Sequence, residues 1–128
     1  MPNTGSSDNA LDTGVARGLL VHSAGPADSA GITAALRSAA NAVAALPAGV
    51  PVEVVVQGPG VALLAAGSTL EEPVSEALAR GIRILACGNS LRSVGLAPGE
   101  LSSGVGSVPA AIAHLAARQW EGWAYVRL

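Results

Sequence analysis

Lysine and phenylalanine are both absent from the 128 residues, and the chain carries only two Trp, one Tyr, one Met and one Cys. Each absence excludes something. Without lysine there is no P-loop lysine, no Schiff base and no lysine-linked pyridoxal phosphate. The basic residues are seven scattered arginines and the net charge is −2, whereas a nucleic-acid binder needs a basic stripe; no nucleic-acid partner is expected. A single Cys closes no internal disulfide, and with two His it is too little for a zinc site, so no metal and no other cofactor are expected. No apolar run approaches the roughly 18 residues of a membrane span. Met1 to Arg17 lacks the positive start and apolar stretch of a targeting signal and is rich in Gly, Ser, Asn and Asp. The expectation is a cytoplasmic protein with a disordered tail over residues 1–16 and one α/β domain over residues 17–128.

What is present is small and aliphatic. Half of the residues are hydrophobic and Ala is the commonest, which suits a Val/Leu/Ile sheet packed closely against small-residue helices. A first unbroken apolar strand is read over residues 18–22, ending at His22, with Asp28 or Ser29 available to cap a helix over residues 32–46. The inner stripe of that helix is expected to be Ile32, Leu36, Ala39, Val43 and Leu46. Residues 52–57, Val-Glu-Val-Val-Val-Gln, form the strongest strand, because β-branched residues dominate it. Gly58-Pro59-Gly60 leads into a short helical segment over residues 61–66, and a second short helix runs over residues 73–80 with Glu76 paired to Arg80. Residues 82–87 form a third strand ending at Cys87. A brief helix follows within residues 88–96, then a short strand over residues 105–108. A helix over residues 109–121 with Ile112, Leu115 and Ala116 inward precedes a last strand over residues 123–127. This alternation predicts a three-layer α/β/α fold with an open, mostly parallel five-stranded sheet. Right-handed crossovers then collect the loops after the strands at one edge, where ligands bind in such sheets.

Cys87 is the candidate for chemistry. It ends a buried strand and opens a turn into a helix, where backbone N–H groups, the positive helix end and Arg92 would favour thiolate over thiol. The alternative is that Cys87 is a small packed hydrophobe, the usual fate of a free Cys. His22 could serve as a general base or simply be a strand-end His bonded to a loop, while His114 is read as lying on a solvated helix face. Gly58-Pro59-Gly60 follows a strand as a dinucleotide fingerprint would, but the third glycine position holds Leu63 and the central Pro lacks an N–H, which argues against a nucleotide site.

The opening strand with His22-Ser23, the run Val54-Val55-Val56-Gln57-Gly58-Pro59-Gly60-Val61, the run Ile84-Leu85-Ala86-Cys87-Gly88-Asn89-Ser90-Leu91-Arg92 and the closing Gln119 to Tyr125 together resemble the DsrE/DsrF-like family of intracellular sulfur-relay proteins. The likeness covers Leu19 to Leu128. It implies a five-stranded parallel sheet in a homo-oligomer, trimer or hexamer, and a Cys after the third strand that takes up sulfur as a persulfide and passes it to a partner thiol. Cys87 occupies that place. Gly88, Asn89, Ser90 and Arg92 would then stabilise the anion, with His22, Ser23 and Gln57 as neighbouring polar groups; Gln57 is a departure, since many such relatives carry His there. Two readings result: a sulfur carrier or sulfurtransferase served by sulfur-donor and acceptor proteins, or a non-catalytic oligomeric module that binds a small ligand or partner, with Cys87 structural.

Overall fold

A computed structural model describes residues 17–128; the tail expected over residues 1–16 lies outside the described residues. The elements in chain order are β1 (Leu19–Ala24), α1 (Ser29–Ala45), β2 (Val52–Gln57), α2 (Glu71–Ala79), β3 (Arg83–Cys87), α3 (Gly88–Val94), β4 (Gly106–Val108), α4 (Ala111–Trp120) and β5 (Ala124–Arg127). All strand pairings are parallel and the spatial order is β4-β3-β2-β1-β5. The protein has the expected α/β fold, with a sheet that is parallel throughout.

One sheet face carries Val21, Val54, Val56, Ile84 and Ala86 and is covered by Ile32, Ala35, Leu36 and Ala39 of α1, Val74 and Ala77 of α2, and Leu91 of α3. The other face carries Leu20, Val55 and Cys87 under Ala111 and Leu115 of α4. Alternate side chains therefore feed two separate cores, the larger beneath α1 and α2.

The ends of α1 are set by chemistry visible in the chain. Asp28 Oδ1 accepts from the Ala30 N–H at 3.0 Å, capping the helix as expected, and Leu46 ends it one residue before Pro47. The expected inner stripe is only partly buried, because Val43 and Leu46 stay half-exposed. The 17 residues of α1 span roughly 25 Å, against roughly 20 Å for a six-residue strand, so its last turns overhang the sheet. The segment after β2 is a tight 3-10 turn over Pro59–Leu64 rather than α-helix. Glu76 and Arg80 do not pair: α2 ends at Ala79, and both side chains line the α1–α2 groove instead.

The helix α4 is turned differently from the expectation. Ile112, expected inward, is 61 % exposed, and the buried apolar residues are Ala111 and Leu115. The inward stripe is Ala111, His114, Leu115 and Arg118, so two of its positions are polar. The cause lies in β2, where the side chain of Glu53 is fully buried. Its Oε1 meets His114 Nε2 at 2.7 Å, and its Oε2 meets Arg118 at 2.9 Å and Arg83 at 2.5 Å. A buried carboxylate must be paired, and it takes its partners from the helix above it and from its register neighbour in β3.

Candidate functional site

Cys87 closes β3 and serves as the N-cap residue of α3, with its sulfur on the α4 side of the sheet among Leu20, Val55, Ala111 and Leu115. It is only 2 % exposed. Two chain segments supply its polar contacts. From α4, the Ala111 N–H donates to Sγ at 3.3 Å, and from α3 come the Ser90 hydroxyl and the N–H groups of Ser90 and Asn89. Burial alone would raise the thiol above its ordinary value. The Ala111 N–H, the Ser90 hydroxyl and the α3 N–H groups outweigh burial and lower it. None of these groups carries a formal charge: the thiolate is favoured by oriented dipoles at two helix starts.

Ser90 ties this arrangement to the next strand. Its Oγ accepts from the Gly58 N–H at 2.8 Å, leaving its own hydrogen for the sulfur. The N–H that Ser90 accepts belongs to the turn after β2, where Gly58 adopts φ +86°. Gly60 of that turn lies against Ile32 and the Pro26 carbonyl, so these glycines serve close packing rather than a phosphate.

Gly88 has a different part from the one expected. It is not among the donors to the sulfur; a Cβ there would stand 2.9 Å from the Val108 carbonyl oxygen and 3.0 Å from that of Pro109. Its bare backbone lets the β4–α4 connection come close, and that connection carries Ala111 to Cys87. Gly88→Ala should therefore cost about 1–3 kcal/mol through overpacking and raise the ionisation midpoint of Cys87. Urea denaturation and a pH titration of the thiol check both effects.

On the same face, two residues beyond Leu20 and Val55, stand His22 and Gln57. His22 Nδ1 meets the Tyr125 hydroxyl at 2.7 Å, and its Nε2 meets Gln57 Oε1 at 2.9 Å. With the Gln57 oxygen facing Nε2, a neutral ring carries its proton there and accepts from Tyr125 at Nδ1. Gln57 lies one register step past the Val56–Ala86 pair and so beside Cys87, and among the described residues its amide nitrogen has no partner. Tyr125 is the member that sequence reasoning missed as a site residue. Its signal was available, since it is the chain's one Tyr, on a last strand that the parallel topology sets beside β1.

Two expected site residues are not brought to the sulfur. Arg92 turns its guanidinium to Asn89 Oδ1 on the exposed side of α3, because a residue one turn into the helix projects away from the strand-end position. Ser23 follows His22 by one residue, and strand alternation sends it to the opposite face, opposite Val56 in the α1 core.

The groove lined by Thr33, Arg37, Glu76 and Arg80, about 350 Å³, lies between α1 and α2 and shares no residue with the Cys87 site. Among the described residues no cluster of His, Cys, Asp or Glu could hold a metal, and no helix is long and apolar enough to cross a membrane.

Comparison with known proteins adds to this geometry. A model of the DsrE/DsrF-like family matches residues 18–128. Among solved structures, a protein of unknown function from Methanobacterium thermoautotrophicum, MTH1491, is 33 % identical with a TM-score of 0.78, covering 87 % of this chain and 99 % of its own. The ychN protein from E. coli (13 % identity, TM-score 0.73, covering 88 % of this chain and 99 % of its own) shares the fold. So does BT1422, a conserved protein of unknown function from Bacteroides thetaiotaomicron (18 % identity, TM-score 0.66, covering 91 % of this chain and 100 % of its own). No curated protein matches the chain.

Proposed function

Because the chain belongs to the DsrE/DsrF-like family, we propose that it is a sulfur carrier that holds sulfane sulfur as a persulfide on Cys87. The observation that carries this reading is the donor set converging on one sulfur: the Ala111 N–H at 3.3 Å, with the Ser90 hydroxyl and the α3 N–H groups, all favouring the anion despite burial. A thiolate attacks the terminal sulfur of a donor persulfide. The donor's S–S bond breaks, its thiolate leaves with the electron pair, and a new S–S bond forms on Cys87. An acceptor thiolate then attacks the outer sulfur and returns Cys87 to its thiolate. No net oxidation occurs, and no metal or second cysteine in the chain is called on. The Gln57 amide, oriented by His22 and Tyr125, supplies a hydrogen-bond donor beside the loaded sulfur.

The 2 % exposure of Cys87 favours a second reading, a binding module in which the thiol is packed. One experiment separates the two. Incubation with a small persulfide donor, followed by mass spectrometry, should show one added sulfur on Cys87; a chain that stays unmodified while a competent carrier is loaded sinks the first reading and leaves the second.

The partner that the surface suits is a second copy of this chain. Ile112 at 61 %, Trp120 at 85 %, Tyr125, Val126 and Leu128 are exposed around α4 and the edge strand β5. Tyr125 lies on the α4 side of the sheet and Val126 on the α1 side, so exposed apolar side chains flank both faces of β5, whose outer edge is an open sheet edge. Light scattering should give a mass of three or six chains, and Trp120→Glu should shift it toward one. A wild-type monomer at micromolar concentration would refute the oligomer.

A further inference from the structure

Glu53 is a buried carboxylate at the far end of β2 from Cys87, and sulfur chemistry makes no direct use of it. It is nonetheless the main polar tether of α4. From that helix, His114 reaches Glu53 Oε1 at 2.7 Å, and Arg118 reaches Oε1 at 3.3 Å and Oε2 at 2.9 Å. The apolar hold on the helix is slight, because its buried residues are Ala111 and Leu115 alone. At the start of the same helix, Ala111 donates its N–H to Cys87 Sγ.

We propose that Glu53 is a positioning residue for Cys87: by fixing His114 and Arg118 to the sheet it holds the first N–H of α4 on the sulfur. The lever is the helix itself. His114 and Arg118 lie one and two turns from Ala111 on the same face, about 4.5 and 10.5 Å along the axis. Pivoting α4 by ~10° about Leu115, ~6 Å from Ala111, moves that N–H by ~1 Å. Added to a contact of 3.3 Å, this takes it out of hydrogen-bond reach. Two side groups limit the other movements. The Arg118 guanidinium lies 4.5 Å over the Trp123 ring, and Arg83 holds the second carboxylate oxygen of Glu53 from β3. An apolar residue at position 53 would fill the sheet equally well; what the carboxylate adds is direction, since it accepts only from donors in fixed places.

The inference rests on Cys87 working as a thiolate, but its test reads ionisation and not sulfur transfer, so either can fail alone. The chain has one Cys, so thiolate absorbance in the far ultraviolet, followed against pH, reports Cys87 without a reagent having to reach it. Glu53→Gln should raise the midpoint by about one pH unit, the size of one lost hydrogen bond to an anion. His114→Ala, which leaves both arginines paired, should raise it less and serves if Glu53→Gln does not fold. Val74→Ala, a destabilising change in the other core, should leave it where it was. An unmoved midpoint in a folded Glu53 or His114 variant overturns the proposal, as does an equal rise in Val74→Ala.

Discussion

Cys87→Ser is expected to reduce sulfur uptake to the background of a chain without a nucleophile, while leaving the fold in place. The hydroxyl oxygen can accept the Ala111 N–H in the sulfur's position, so the α3 and α4 starts keep their partner and stability should change by only about 1 kcal/mol. A hydroxyl, however, does not ionise near neutral pH under these uncharged dipoles, and it carries no sulfane sulfur. Wild-type loading also has a pH signature. The folded thiol ionises below its ordinary value, so the rate should climb with pH and level off before the range in which a free thiol ionises. Mass spectrometry of both proteins across pH, with urea midpoints as a control on folding, checks these results. Equal labelling of wild type and Cys87→Ser would place the sulfur elsewhere.

The largest stability effect is expected at Glu53. Glu53→Gln leaves Arg118 and His114 facing a neutral amide in a closed site, and losing one partner of a buried ionic cluster costs about 3 kcal/mol. The pH dependence follows from the carboxyl itself. Burial pushes its value up, but the hydrogen bonds from Arg118 and His114, with the charges of Arg118 and Arg83, outweigh this and hold it below the ordinary range. A depressed carboxyl binds fewer protons folded than unfolded. Its stabilisation is therefore complete above about 4.5, the ordinary Glu value, and is lost as pH falls from there through the depressed folded value. Urea midpoints measured down through that window should converge for wild type and Glu53→Gln. A gap that stays constant with acidification would show that the carboxylate's charge is not what holds α4.

The pattern of apolar runs in the chain was enough to place β1, β2 and β3, because buried parallel strands read as segments dominated by Val, Ile and Leu whatever packs on them. The placing of Cys87 at a strand end and helix start was legible for the same reason: both boundaries are local. The inward face of α4 was not. Periodicity puts Ile112 inside, since it weighs residues only by hydrophobicity, whereas the structure rotates the helix to bring His114 and Arg118 onto Glu53. A cue existed in the polar residue at the second place of the β2 run, Val52-Glu53-Val54, and in the similar Ile82-Arg83-Ile84, which the sheet sets in register. A charge inside a doubly buried strand asks for a partner on the element above it.

Ser23 and Arg92 show the same limit from the other side. Nearness in sequence to His22 and Cys87 suggested a shared site, yet a one-residue step along a strand reverses the face, and one helical turn carries a side chain away. Composition and pattern by themselves determined the α/β architecture, the aliphatic core and the single thiol at the edge where the loops gather, because these depend on local periodicity and on which residue types the chain contains. Only the tertiary structure decided what meets that thiol. The Ala111 N–H comes from 24 residues further along the chain, the Tyr125–His22–Gln57 chain spans three strands, and the Glu53 tether joins α4 to the sheet's far end; contacts between distant segments are fixed by packing and pairing, which no local window of sequence contains.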